Sequence, residues 1–209
     1  MRIDPAGYPF IGIALIAAAA LGLLFGWLAA LPLLILGGFF LFFFRDPDRA
    51  VVTGQPDAVL SPADGRVMVA GPAVEAAAPA GDWLQISIFL SPMDVHVNRV
   101  PVSGQVTSVS YRPGKYLAAY RADAASVNER SEIWIDHRGQ QIVARQIVGL
   151  LARRVVCRLT PGATVQAGDR YGVMKFGSRM DVYLPVTAEI RVRPGEVVRG
   201  GESIIAVLH

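Results

Sequence analysis

The chain has 209 residues, 53% of them hydrophobic and 18% charged, with a formal net charge of +3. That length suits one soluble domain plus an appendage, and the single cysteine, Cys157, excludes an intrachain disulfide and fits a reducing compartment. The basic balance (pI about 9.3) rests on arginine, with Lys115 and Lys175 the only lysines. There is no long basic run and no nucleic-acid motif, so the charge reads as attraction to an anionic membrane surface.

The mean hydropathy of +0.41 is high for a globular protein, and the excess sits at the N-terminus. No charged residue occurs between Tyr8 and Phe44. A membrane-spanning helix needs about 20 apolar residues; this run exceeds one span and falls short of two comfortable ones. Pro32 is expected to divide it into residues 9–30 and 33–44, giving either a tight helical hairpin or one helix with an interfacial piece. The run is too long for a cleaved signal peptide and ends in Phe42-Phe43-Phe44-Arg45, not in a small-residue cleavage site. Arg2 before it, and Arg45 and Arg49 after it, favour both flanks on the cytoplasmic side.

After residue 45 short β-type runs separated by Gly and Pro turns take over. Strands are expected at 66–70, 84–89, 104–111, 131–136, 141–148, 170–175, 181–184, 189–192 and 203–208. Turn signals include Ala63-Asp64-Gly65, Arg112-Pro113-Gly114, Arg138-Gly139, Thr160-Pro161-Gly162 and Arg193-Pro194-Gly195. Helices are expected only around 117–125 and 149–157. The result is an α+β fold: a β-rich soluble domain over 46–209 preceded by the hydrophobic segment 1–45. The Pro194-Gly195…Gly201-Glu202 cadence has the pattern of lipoyl- or biotinyl-type sandwiches.

Within the last third, Val173-Met174-Lys175-Phe176-Gly177-Ser178-Arg179-Met180-Asp181 reads as an extended run kinked at a glycine. Glycine tolerates backbone angles that could press the Ser178 hydroxyl against the Gly177 carbonyl, although a Gly-Ser pair alone is also an ordinary turn. Histidines are few: His137 lies in a polar turn and His209 ends the chain, so His96 is the candidate base. Asp64 is the candidate carboxylate, with a plain alternative as half of an Asp-Gly turn.

An ordered set of motifs runs through the soluble part: Ser61-Pro62-Ala63-Asp64-Gly65, Phe89 through Pro101 with His96, Pro113-Gly114-Lys115-Tyr116-Leu117, Asn128-Glu129-Arg130, Ala152-Arg153-Arg154 and Phe176-Gly177-Ser178-Arg179. Together they resemble the phosphatidylserine decarboxylase proenzymes of the short bacterial type. The resemblance implies a membrane-bound carboxy-lyase that cuts itself between Gly177 and Ser178. The β chain would be 1–177 and the α chain 178–209, the two staying associated. Ser178 would become a pyruvoyl group that forms a Schiff base with phosphatidylserine, with no pyridoxal phosphate and no metal. His96 and Asp64 would serve self-cleavage in the Ser–His–Asp manner; Arg99, Asn128 and Glu129 are candidate substrate contacts. The resemblance implies, in many longer relatives, a second histidine three residues after the first; here that position is Arg99, which leaves two readings, His96 serving both self-cleavage and decarboxylation or Arg99 taking an electrostatic role. The implied partners are phosphatidylserine and anionic lipids at the inner membrane, with self-association into a homodimer left open. Two other classes compete: a membrane-anchored serine hydrolase using the same Asp64, His96 and Ser178, which lacks its Gly-x-Ser-x-Gly elbow here, and a carrier domain modified on Lys175.

Overall fold

The computed structural model describes residues 2–51, 54–74, 78–150, 155–175 and 177–209. The chain divides into two compact units, residues 1–48 and 49–209.

In the first unit, strands β1 (Arg2–Ile3) and β2 (Arg45–Asp46) pair antiparallel and bracket helices α1 (Tyr8–Phe25) and α2 (Trp27–Phe43). The break between the helices falls at Gly26, not at Pro32. Gly26 has φ +88°, which ends α1 where a side-chain-bearing residue would be strained. Pro32 lies inside α2, where it removes one hydrogen bond near the helix start. The apolar run is thus a helical hairpin. Its first arm, residues 5–25, is long and apolar enough to cross a membrane; α2 is shorter. Small residues let the arms approach: Ala14, Ala18, Ala30 and Gly37 are buried between them. Phe10 packs on Phe40 and Phe44 with ring centroids 5.5 Å apart in both pairs. Ile13, Ile16, Leu23, Leu24, Trp27 and Ile35 point outward with most of their surface exposed.

The second unit is β-rich. Its strands are β3 (Ala58–Leu60), β4 (Gly65–Pro72), β5 (Trp83–Leu90), β6 (Val97–Arg99), β7 (Gly104–Arg112), β8 (Arg130–His137), β9 (Gln140–Val148), β10 (Val155–Cys157), β11 (Thr164–Val165), β12 (Arg170–Met174), β13 (Ser178–Pro185), β14 (Glu189–Ile190), β15 (Val197–Val198) and β16 (Ile204–Val207), with one helical turn, α3 (Ala124–Val127). Eight strands form an antiparallel sheet in the order β11-β7-β8-β9-β13-β5-β4-β15. Two three-stranded sheets, β10-β12-β6 and β14-β16-β3, complete the unit. The long alternating runs are all strands, as the sequence predicts. The Arg138-Gly139 turn closes the β8–β9 hairpin with both residues at positive φ, +54° and +85°, the geometry that matches strand twist.

Both expected soluble helices are corrected. Residues 117–123 are irregular and only Ala124–Val127 is helical, because tertiary contacts hold this stretch: Lys115 N–H donates to Val127 O, and Asn128 takes both the N–H and the C=O of Leu117. Val155–Cys157 is a strand on β12, as its β-branched pair prefers; residues 151–154, with the Ala152-Arg153-Arg154 motif, lie outside the described residues.

The eight-stranded sheet has one apolar and one polar face. Along β13, Met180, Val182 and Leu184 enter the main core with Ile86, Ile88, Ile133, Ile135 and Ile142. Arg179, Asp181 and Tyr183 face the other way, by the two-residue period of a strand. There Arg179 Nε donates to Asp181 Oδ1 at 2.6 Å, with both side chains almost wholly buried. Asp181 also accepts from Gln85 Nε2 and the Tyr183 hydroxyl, and Arg145 Nη1 donates to that hydroxyl. Burial, then the nearby Asp181 charge, pushes the Tyr183 phenol well above its ordinary range, so it stays protonated as a donor. Removing one partner of a buried ion pair strands the other charge, at a cost of about 3–5 kcal/mol. Asp181→Ala should therefore lower the urea-unfolding free energy of the full chain in detergent by about that amount. A loss under about 1 kcal/mol would mean that the network contributes nothing net.

Candidate active site

The chain leaves one sheet and enters another within three residues. β12 ends at Met174 in the β10-β12-β6 sheet, and β13 starts at Ser178 between β9 and β5 of the large sheet. Gly177 makes the crossing possible with φ +76°; Phe176 lies outside the described residues. Gly149, just past β9, sits against the same junction: a Cβ on it would collide with Gly177 O. Only a residue without a side chain fits there.

Ser178 is fully buried and registers with Val148 on β9 and Leu90 on β5. Its Oγ has no hydrogen-bond partner among the described residues. A buried hydroxyl left unpaired costs about 1–3 kcal/mol, so such a group points to a functional site. His96 is also fully buried. The Gly177 N–H donates to His96 Nε2 at 3.3 Å, and His96 Nδ1 meets Asp94 O at 2.9 Å. A carbonyl can only accept, so Nδ1 carries the proton and Nε2 presents its lone pair at the Gly177–Ser178 junction. Two elements hold the imidazole in place. The turn at residues 91–94, closed by Asp94 Oδ2 accepting from Ser91 N–H at 2.7 Å, sets the Asp94 carbonyl. The pairing of β6 with β12 sets the strand that follows His96, and Met174 N–H donates to His96 O.

The remaining sequence candidates divide. Asp64 stands apart from the imidazole in its hydrogen bonding: Oδ2 accepts from Arg49 Nη2 at 2.6 Å and Oδ1 from the Gly200 N–H at 2.8 Å. Arg49 also reaches Glu202. Arg99 links that turn to the strand after His96, because its N–H donates to Pro62 O while Nη1 donates to Gly168 O. Asn128 clamps the Leu117 backbone and the Val148 carbonyl next to the junction. Glu129 accepts from the Tyr116 hydroxyl at 2.8 Å. Lys175 lies at the crossing between two sheets, not at the tip of a hairpin. Burial pushes the Cys157 thiol up, which disfavours the thiolate a nucleophilic cysteine needs.

Sequence reasoning missed three contributors. Asp94 acts through its carbonyl, which no side-chain pattern announces. Gly149 reads as the start of a helix, and Arg49 as a membrane flank. The Val148-Gly149 ending of a long strand was the one available signal, since glycine there marks close backbone approach.

A family model for phosphatidylserine decarboxylase matches residues 36–206. Three similar proteins each carry the name phosphatidylserine decarboxylase proenzyme. That of Solibacter usitatus is 46% identical over 207 residues, covering 99% of this chain and 97% of the relative. That of Mycobacterium sp. strain JLS is 44% identical over 210 residues, 99% of this chain and 88% of the relative. That of Geotalea uraniireducens is 43% identical over 203 residues, 97% and 94%.

The His96 tautomer is directly measurable. A long-range nitrogen–proton correlation spectrum of the uncleaved Ser178→Ala chain should place the His96 proton on Nδ1. A proton on Nε2 would contradict the junction geometry.

Proposed function

The chain belongs to the phosphatidylserine decarboxylase family, and on that premise we propose that it converts phosphatidylserine to phosphatidylethanolamine and CO2 with a pyruvoyl group made from its own Ser178. The carrying observation is the buried, unpartnered Ser178 hydroxyl beside a glycine whose N–H is held to His96 Nε2. These residues fit the making of that group. His96 Nε2, whose lone pair faces the junction, takes the Ser178 proton, and Oγ attacks the Gly177 carbonyl. The peptide becomes an ester as the Ser178 nitrogen leaves the carbonyl. Loss of the Ser178 α-proton then breaks the Cβ–O bond, freeing the Gly177 carboxylate and leaving dehydroalanine. Water addition releases ammonia, and the pyruvoyl carbonyl remains at the N-terminus of the 178–209 chain. Gly149 leaves the space in which the Gly177 oxygen takes up charge.

Asp64 belongs to this machinery as a fixed negative charge. Its turn is tied through the Pro62 carbonyl to Arg99, three residues beyond His96, and its paired state keeps Arg49 and the Gly200 loop in place. In decarboxylation the pyruvoyl carbonyl supplies, by condensing with the substrate amine, the electron sink that no side chain offers. His96 then returns a proton to the α-carbon, for which a buried imidazole neutral at Nε2 is suited once protonated. Pyridoxal phosphate and metal have no part in this scheme. The product chains stay together because β13, β15 and β16 of the 178–209 chain pair with β5, β9, β4 and β3 of the other.

The hairpin of the first unit serves as the anchor. Its ends meet in the β1–β2 pair, so Arg2 and Arg45 lie at the same end. By the positive-inside rule that end is cytoplasmic, and the catalytic unit works on the inner leaflet of the cell membrane. A diacyl substrate leaves lipid only at about 0.8 kcal/mol per exposed CH2, which favours catalysis at the interface.

Mass spectrometry of the purified wild type should give two fragments, 1–177 and 178–209. Borohydride reduction with phosphatidylserine should mark the N-terminus of the smaller one. Ser178→Ala should remain one inactive chain, and His96→Ala, Asp64→Asn and Gly149→Ala should slow cleavage, the first by roughly 10³–10⁴. An adduct on Lys115 or Lys175, or activity in an uncut chain, would sink the mechanism; normal processing of any of the three variants would remove that residue from it.

Deleting residues 1–44 should move the protein to the soluble fraction while self-cleavage continues, because the cleavage residues lie beyond residue 60. A well-folded but uncut truncation would show that the hairpin shapes the site.

A further inference from the structure

The polar face of the large sheet carries a second feature that self-cleavage and decarboxylation leave unused. Arg112 on β7 stands directly opposite Arg130 on β8. Like charges facing each other across a strand pair are destabilising, and the carboxylate that acts on Arg130, Glu132, is itself held by Arg145 and Trp134. Arg112 has no hydrogen bond or ion pair among the described residues. Arg130 Nη1 donates only to neutral carbonyls, Ser126 O at 2.7 Å and Asn128 O at 3.3 Å.

Both arginines line a cavity of about 420 Å3 with Arg145, Glu132, Trp134 and Ser126. Glu132 is the one acid among the lining residues, and it is already engaged: Arg145 Nε donates to Oε2 at 2.6 Å and Trp134 Nε1 donates to Oε1 at 2.7 Å. Among the described lining residues, three guanidinium charges stand against one carboxylate, a balance of +2. Burial, then the like charges of Arg145 and Arg112, lowers the Arg130 pKa, so an added anion would relieve a real electrostatic load. The cavity lies away from the junction chemistry. Glu132, Arg145 and Asp181 register across β8, β9 and β13 on the polar face, whereas Ser178 shares the alternation of Met180 and Val182 on the apolar face.

We propose that this arginine-lined cavity binds a phosphate-type oxyanion, either free phosphate or the phosphate of an anionic lipid headgroup, at a site separate from the Gly177–Ser178 junction. The planar guanidinium fork pairs bidentately with such oxygens, and the volume leaves room for an ester substituent.

Calorimetric titration of the full chain in non-ionic detergent tests this with two probes, inorganic phosphate and dihexanoylphosphatidic acid. Saturable binding of either supports the site, and the pattern identifies the source: the lipid alone marks a headgroup, phosphate alone a free anion. Arg112→Gln should weaken binding by about tenfold, the worth of one charged hydrogen bond. Arg112→Lys should fall between the two, because it keeps the charge and loses the fork. Arg112 has no hydrogen bond or ion pair among the described residues, so these variants should fold and cleave normally, which separates this test from that of the junction. Absence of saturable binding for both probes, or binding unchanged in Arg112→Gln, overturns the proposal. A wild type that binds neither probe but changes oligomeric state on Arg112→Gln would assign the arginines to a subunit contact, and overturns it as well.

Discussion

The structure depends on one connection: three residues take the chain from the central strand of the β10-β12-β6 sheet to the middle of the eight-stranded sheet. Strand β13 then has neighbours on both sides along nearly its whole length. Such a strand has no freedom to slide, since a one-residue slip would send Met180 and Val182 to the polar face and Arg179 and Asp181 into the core. The Gly177–Ser178 bond inherits that rigidity. It is held at its C-terminal side by two ladders and at its N-terminal side by β12, and the positive φ of Gly177 absorbs the mismatch.

That placement imposes costs that other parts of the fold offset. The polar face puts Arg179 and Asp181 out of water, which is tolerable only because each finds a charged partner and further donors or acceptors nearby. The Ser178 hydroxyl has no such relief among the described residues. Among the described residues Asn98, His137, Gln140 and Gln146 also carry a buried side-chain atom without a hydrogen bond, so what sets Ser178 apart is its place beside Gly177 and His96. The Arg112–Arg130 pair lies on strands β7 and β8 of the same sheet, with β9 between β8 and β13.

The N-terminal unit answers a different constraint. Its outward surface is aliphatic and aromatic, and its inner seam is small-residued, the distribution expected when the surrounding medium is as apolar as the side chains and helices associate through close packing. The pairing of Arg2–Ile3 with Arg45–Asp46 closes the hairpin at one end, so its two chain ends lie together.

Much of this was legible in the residues. Alternation over five or more positions specified the long strands, because a period of two with one buried face has few other solutions. The Arg138-Gly139 turn, the apolar appendage, and the Gly177-Ser178, His96 and Asp64 motifs could be picked out in the same way. Strands such as β6 and β15 could not, being too short to show a period; they exist because neighbours accept their hydrogen bonds. The helix expected over 117–125 failed because Asn128, from outside the segment, took over its backbone groups. Pro32 looked like the hairpin break until Gly26, with its positive φ, proved the cheaper turn. Which groups meet at the junction was decided only by tertiary structure: His96 lies 81 residues from Gly177 in the chain, its proton position is set by a backbone carbonyl, and Asp64 bonds to Arg49 and Gly200 instead of the imidazole. Side-chain types are written in the sequence, but carbonyl directions and strand registers arise only when the sheets close.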